Sequence, residues 1–332
     1  MSLMVQQKEH KSSLVNIRID KTVPTGAPVL RRLCNENCNF DSRLNIKCHE
    51  DNSYRAVFGQ NAIGNEDLVG IVSRIAAVSC KRISIHIAGD GEPTLFEDEL
   101  LDLISRFKAL NEVESIKVTT NGTRLSRGQP SLAARLKSAS VDGLNISIHS
   151  LTKEGFKEVT CIDALHLALA GLDAAVNAGL YVSVNCVVRD QTFDEVDNYI
   201  KLSAEKGVKI KFFCMLSENP EAQEYAYSLV DRLDKVLTQK AESIYHYMLP
   251  YAGKIFKIGK AIVELKDTRI NSCPNTKCAV RARCTEGCRY HVRITPTGVI
   301  QPCGIRTDNL VKFTNETTDD EIFSALRSGG KV

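Results

Sequence analysis

The sequence predicts an α/β protein, a partial (β/α)6 TIM-like barrel with a small C-terminal Cys-rich domain, and three observations predict it. Six strand-like runs alternate with stretches of helical periodicity over 28–240. Alternation of that kind implies parallel pairing through right-handed crossovers. Nearly every strand ends in polar or Gly-rich residues, which in β/α barrels form the active-site face. Finally, the Cys fall mostly into two groups, one in a loop after the first predicted strand and one beyond the last.

Taken in order, 28–33 (PVLRRL) reads as the first strand, followed by a polar loop with Cys34, Cys38 and Cys48. Leu68, Ile71, Val72, Ile75 and Ala76 mark a helix after the helix-start residues Asn65, Glu66 and Asp67. Strand 82–89 leads to helix 96–110, strand 115–121 to helix 131–138, and strand 143–150 to helix 163–178. Strand 181–188 then leads to helix 193–206, and strand 208–216 to helix 221–240. From about 244 the rhythm stops. Tyr290 to Thr295 and Val299 to Gln301 read as a hairpin across Pro296-Thr297-Gly298. The expected division is an N-terminal extension at 1–27, the barrel at 28–243 and the Cys-rich domain at 244–332.

Composition narrows the function classes. With 43 Lys and Arg against 40 Asp and Glu, the net charge of +3 is too small to argue for nucleic acid. The sequence has no apolar run long enough to span a membrane and no signal-peptide core, so a cytoplasmic protein is expected. In a reducing compartment, clustered Cys among its 12 point to metal ligation. Cys34, Cys38 and Cys48 sit among Asn, Asp, Glu and Lys, which suits a metal better than an apolar pocket. Three thiolates leave one iron of a 4Fe-4S cluster without a protein ligand. In the second group, Cys273, Cys278, Cys284, Cys288 and Cys303, spacing fits a zinc ribbon as well as an iron-sulfur cluster.

At the strand ends stand Gly89, Asp90, Gly91 and Glu92, then Thr120 and Asn121, then Ser147 and His149, then Asn185 and Arg189, and finally Met215. Singly, each has a structural explanation: Asn121-Gly122 is a common turn pair, and His149 could be a satisfied core histidine. Their joint position at successive strand ends favours a ligand site.

These residues resemble the radical S-adenosylmethionine (SAM) superfamily and, within it, the GTP cyclase branch of molybdopterin biosynthesis, from about 28 to 303. Members carry CxxxCxxC. Here Cys34 and Cys38 fit the first pair, but Asp41 occupies the third place. The usual continuation, Cys followed by His and acidic residues, returns as Cys48-His49-Glu50 once 41–47 is skipped. The resemblance therefore implies Cys34, Cys38 and Cys48 as ligands of the SAM-binding 4Fe-4S cluster, with seven residues inserted.

It also implies that Gly89, Asp90, Gly91 and Glu92 receive the amino group of SAM, that Thr120 and Asn121 belong to the third-strand motif, and that Ser147, Asn185, Arg189 and Met215 contact SAM. Cys284, Cys288 and Cys303 are similar to the ligands of the auxiliary 4Fe-4S cluster, with Cys278 or Cys273 as a further ligand. The activity implied is reductive cleavage of SAM to a 5'-deoxyadenosyl radical that abstracts hydrogen from substrate. Electrons would come from a reductant such as flavodoxin or ferredoxin.

For the substrate, an anionic small molecule is expected, because the mouth is locally basic; Arg32, Tyr290, His291 and Arg293 are the candidate contacts. The branch holds the GTP triphosphate partly with a Lys two places before the strand-five Asn, where this chain has Ser183. It reads the purine with an Asn and two Arg, of which Arg293 alone has a clear counterpart, and it ends in Gly-Gly, whereas Gly329-Gly330 is followed here by Lys331 and Val332. On these departures GTP is placed below other anionic substrates, with maturation of a ribosomal peptide as the first alternative and GTP 3',8-cyclisation as the second.

Overall fold

The computed structural model describes residues 14–20, 25–26, 36, 38–41, 46–47, 61–89, 91–215, 219–247, 252–267, 269, 291–303 and 308–330. Its strands are β1 (Leu14–Ile19), β2 (Asn39–Asp41), β3 (Ile46–Lys47), β4 (Arg82–Ile87), β5 (Val113–Thr120), β6 (Gly143–Ser147), β7 (Tyr181–Val187) and β8 (Lys209–Phe213). Six more follow: β9 (Ser243–Tyr247), β10 (Gly253–Ile258), β11 (Ala261–Lys266), β12 (His291–Ile294), β13 (Val299–Gln301) and β14 (Val311–Lys312). The helices are α1 (Asn65–Ser79), α2 (Glu97–Lys108), α3 (Leu132–Ser138), α4 (Lys153–Thr160), α5 (Leu165–Asn177), α6 (Thr192–Lys206), α7 (Pro220–Lys240) and α8 (Asp319–Ser328).

One sheet runs β14-β13-β12-β1-β4-β5-β6-β7-β8-β11-β10-β9. Its centre is parallel from β12 to β11. The six β/α strands are therefore flanked on each side by one further parallel strand. The charges of Arg18 on β1 and Lys266 on β11, six strands apart in this order, act on each other across the interior. Only a strongly curved sheet permits that, so the architecture is the expected partial barrel.

Three boundaries differ from the sequence reading. The strand beside β4 is Leu14–Ile19, within the stretch expected to be an N-terminal extension, whereas 28–33 lies outside the described residues. The β/α rhythm stops near 244 as expected, but β9, β10 and β11 form an antiparallel meander whose last strand rejoins the barrel beside β8. The hairpin β12–β13 is likewise not separate, because β12 pairs in parallel with β1. Helix α4, capped by the Thr152 hydroxyl accepting from the Gly155 amide, was not foreseen.

Strand alternation fixes what faces where. On β1 and β4, Val15, Ile17, Ile83, Ile85 and Ile87 are fully buried. They belong to the same apolar cluster as the predicted stripe of α1, from Leu68 to Ala76. At the β5 rim, Gly122 has φ +81°, a conformation that side-chain-bearing residues rarely adopt. Helix α5 approaches this turn through Gly171, where a Cβ would lie 2.0 Å from the Gly122 carbonyl oxygen. Gly171→Ala is therefore expected to destabilise by about 1–3 kcal/mol through overpacking against a backbone that cannot yield cheaply. An unchanged urea midpoint would refute this.

Candidate active site

The rim is organised by Glu92, which is only 2% exposed at the end of β4. Its Oε1 accepts from the Thr94 amide (3.0 Å), the Thr94 hydroxyl (2.6 Å) and the Thr120 hydroxyl (2.6 Å), and its Oε2 accepts from the Asn121 amide (2.6 Å). Burial pushes this carboxyl up, and the four donors oppose that shift. The carboxylate thus ties the loop after β4 to the loop after β5. Asn121 Oδ1 in turn accepts from the Thr123 amide and hydroxyl, at 3.1 and 2.9 Å. Gly89 and Gly91 are half-buried beside this knot, and Asp90 lies outside the described residues.

On the next two strands, Ser147 stands opposite Asn185 in the β6–β7 ladder. Arg189 follows β7, is 3% exposed, and donates from Nη2 to the His149 carbonyl at 3.2 Å. Among the described residues, Asn185 Oδ1 and Arg189 Nε are buried without a hydrogen-bond partner. Such atoms usually find one in a folded protein, so their exposure to a bound polar group is the economical explanation. His149 Nδ1 accepts from the Val187 amide (3.2 Å), and burial, with the Arg189 charge, pushes its pKa down to about 3. It is a neutral, satisfied core histidine. Met215 is 3% exposed just past β8.

Of the eight Cys expected as metal ligands, Cys38 and Cys303 are described; Cys34, Cys48, Cys273, Cys278, Cys284 and Cys288 lie outside the described residues. Cys38 is 6% exposed and its thiol donates to Glu36 at 3.6 Å. Around the inserted segment, β2 and β3 pair antiparallel, with Asn39 opposite Lys47. Cys303 follows β13, which runs antiparallel to β12, so the chain there heads away from the rim that carries Glu92. Of the substrate candidates, His291 and Arg293 stand half-buried on β12, with Arg293 opposite Arg18; Arg32 and Tyr290 lie outside the described residues.

Between the two ends, the barrel interior departs from the usual filling of Val, Ile and Leu. Lys211 on β8 donates to Asn145 Oδ1 on β6 (2.8 Å). The Asn145 amide reaches His86 Nε2 on β4 and Thr119 Oγ1 on β5, both at 3.3 Å, and His86 Nε2 lies 2.7 Å from Thr119 Oγ1. Burial, with the nearby charge of Arg18, keeps His86 neutral. One strand further, Glu264 on β11 pairs with Lys209 Nζ at 2.6 Å and accepts from the Tyr247 hydroxyl. Burial opposes its ionisation, but Lys209, Lys266 and Lys211 hold its pKa at about 2.

The sequence reading missed these lysines. The available signal was the alternation Lys209-Ile210-Lys211-Phe212 in a strand expected to be parallel. Such strands usually read as continuous apolar runs.

A curved parallel sheet with polar groups gathered at its strand ends defines a β/α-barrel ligand site, and the sequence profile of the radical SAM superfamily matches residues 29–218. The chain belongs to that superfamily and is a radical SAM enzyme; members hold a 4Fe-4S cluster and SAM. Its relatives include the probable GTP 3',8-cyclase of Thermoplasma volcanium, 30% identical over 310 residues that cover 90% of this chain and 88% of that protein. The probable GTP 3',8-cyclase of Sulfurisphaera tokodaii is 28% identical over 298 residues, covering 88% and 84%.

Solved structures agree on the fold. Streptococcus suis SuiB bound to S-adenosylmethionine matches with TM-score 0.62 at 16% identity, covering 98% of this chain and 70% of that one. Native anSMEcpe with bound AdoMet matches with TM-score 0.59 at 17% identity, covering 95% and 82%. No single helix among the described residues is long and apolar enough to cross a membrane.

Proposed function

We propose that this radical SAM enzyme acts on a purine nucleoside triphosphate, as a GTP 3',8-cyclase. The observation that carries the reading is the match to relatives of that name over about nine-tenths of the chain. It reverses the order of substrates expected from the departures at Ser183 and in the β12 hairpin. The register softens the first departure: Ser183 stands opposite Lys209, and Asn185 opposite Lys211, so cations absent from β7 occur on the adjacent strand.

In this reading Cys34, Cys38 and Cys48 hold the SAM-binding cluster. Cys284, Cys288 and Cys303 hold the auxiliary 4Fe-4S cluster, with Cys278 or Cys273 as a further ligand. When bound and reduced by a flavodoxin or ferredoxin, the cluster with SAM supplies a radical able to take hydrogen from a carbon. The chain's own residues position the partners. The Asn185 carbonyl and Arg189 guanidinium suit the polar amino-acid end of SAM, since a guanidinium favours a carboxylate and a carbonyl favours an ammonium. The rim knot at Glu92 holds Gly89, Gly91 and Asn121 in one arrangement. The Met215 side chain offers an apolar contact to an adenine.

The test is anaerobic reconstitution followed by incubation with SAM, dithionite and GTP. About eight irons per chain, and a cyclised nucleotide formed in step with 5'-deoxyadenosine, are expected for two 4Fe-4S clusters. SAM cleavage that leaves GTP untouched would overturn the substrate. Zinc without iron would overturn the enzyme chemistry.

A further inference from the structure

We propose that Glu195, on the outer helix α6, is a positioning residue for SAM: it fixes the segment 148–151 after β6 and, through it, the setting of Ser147 and Arg189. The inference rests on the reading of Ser147 and Arg189 as SAM contacts, and it adds the group that holds them in place.

Three buried residues of α6, Thr192, Glu195 and Tyr199, recur at the i, i+3, i+7 spacing of one helix face. All three carry polar groups, and all three meet the strand ends. Thr192 Oγ1 accepts from the Arg189 amide at 2.9 Å. Glu195 Oε1 accepts from the Ser150 hydroxyl at 2.7 Å, and its Oε2 accepts from the Leu151 amide. One turn further along the helix, the Tyr199 hydroxyl donates to the Ile148 carbonyl at 3.0 Å. The residue between is held from the end of β7, because the His149 carbonyl accepts from Arg189 Nη2 at 3.2 Å. Every residue from 148 to 151 is thus tied to α6 or to Arg189.

A carboxyl group only 5% exposed is costly to bury. The first turn of α6, where Glu195 sits, offsets part of that cost through the helix dipole. A leucine there would incur none of it and would fill the same face. What the carboxyl supplies instead is two acceptors, matched to a hydroxyl and to the backbone amide of the next residue. A backbone amide cannot turn to another acceptor unless the chain moves, so this carboxyl fixes main chain as well as a side chain.

Arg189 carries the effect to the ligand. Its Nη2 is aimed by the His149 carbonyl, inside the fixed segment, while its Nε is buried and, among the described residues, has no hydrogen-bond partner. A bound carboxylate would give Nε its acceptor. If 150–151 came loose, the His149 carbonyl and the guanidinium it aims would move together. Ser147 is reached by a second path. The Ile148 amide donates to the Asn185 carbonyl at 3.0 Å, and Asn185 stands opposite Ser147 in the β6–β7 ladder.

The two donors also decide which substitution is tolerated. A glutamine can accept from the Leu151 amide with its carbonyl and donate to the Ser150 oxygen with its NH2 group, because a hydroxyl both donates and accepts. The Ser150 proton can then turn to the Thr152 carbonyl or hydroxyl, at 3.3 and 3.1 Å. Glu195→Gln therefore keeps the fixed geometry without the charge, whereas Glu195→Ala loses it.

The experiment is calorimetric titration of the reconstituted two-cluster protein with SAM, together with urea unfolding and hydrogen exchange of the segment 148–151. Glu195→Ala is expected to weaken SAM about tenfold or more, the effect of misplacing one charge-assisted hydrogen bond. KM for SAM should rise with it, while cleavage at saturating SAM falls less than about threefold, as expected when binding rather than bond breaking is impaired. Exchange at Leu151 should quicken in the same variant, and Glu195→Gln should recover both properties. Ser203→Ala, on the same helix, removes a buried hydroxyl that donates to the Val208 carbonyl and accepts from the Ile262 amide. It should lower the urea midpoint and leave SAM affinity alone. Wild-type affinity in Glu195→Ala would overturn the proposal, and so would an equal loss of affinity in Ser203→Ala, which would reduce Glu195 to a merely structural role. If Glu195→Ala does not fold, wild-type SAM affinity in both Tyr199→Phe and Ser150→Ala would overturn it as well. Arg189→Lys separates this inference from the reading beneath it. Weakened SAM in Arg189→Lys with unaltered SAM in Glu195→Ala would leave Arg189 as a contact and remove the positioning. Unaltered SAM in Arg189→Lys would remove the contact, and the positioning with it.

Discussion

Cys48→Ala is expected to abolish SAM cleavage, with 5'-deoxyadenosine falling to background in an anaerobic assay, while Asp41→Ala retains it. The usual third position of the motif is occupied by Asp41, and a carboxylate is a poorer ligand than a thiolate for cluster iron. Asn39 stands opposite Lys47 in the antiparallel β2–β3 ladder, so the described ends of this segment lie side by side. The residue before Asn39 is Cys38 and the residue after Lys47 is Cys48. With Asn39 and Lys47 paired, the positions that follow Cys38 and precede Cys48 stay adjacent despite the longer loop. Deleting 41–47 would accordingly restore the uninterrupted CxxxCxxC spacing and should preserve cleavage. Activity in Cys48→Ala together with inactivity in Asp41→Ala would show that the insertion re-registers the ligands.

The legible part of the fold was the part in which local pattern and tertiary role agree. The stripes of α1 and α2 and the strand-end residues Glu92, Asn121 and Arg189 could be placed from periodicity, because helix faces and turn chemistry leave period-specific marks. Strand β1 was harder to find. LVNIRI alternates polar and apolar residues, as a half-exposed antiparallel strand would, and the run at 28–33, directly before the Cys loop, competed with it. Asn16 and Arg18 are polar because they face a polar interior, and that is a property of the assembled barrel.

The same cause hid Lys209, Lys211, Glu264 and Lys266. Each reads in sequence as an ordinary exposed charge, and only closure of the sheet turns them toward one another. The double role of the C-terminal hairpin was hidden for a different reason. Its parallel pairing with β1 joins residues about 275 positions apart, and no local signal encodes such a contact.

Glu92 should show the second large effect. Glu92→Ala removes the acceptor of four hydrogen bonds and leaves two buried backbone amides, those of Thr94 and Asn121, without partners. Breaking a buried, charge-assisted network of this kind costs about 3–5 kcal/mol. Glu92→Gln is the sharper probe. The Thr94 and Thr120 hydroxyls can rotate to suit a new partner, but the backbone amides cannot, and one of them points at each carboxylate oxygen. A glutamine has one carbonyl oxygen, so one amide must face its NH2 group. That should cost about 1–3 kcal/mol, measurable as a lower urea midpoint. The same change should weaken SAM binding about tenfold or more, because Glu92 joins the loops that carry Gly89, Gly91 and Asn121. An unchanged urea midpoint in Glu92→Gln would show that the two amide hydrogen bonds do not hold the rim together.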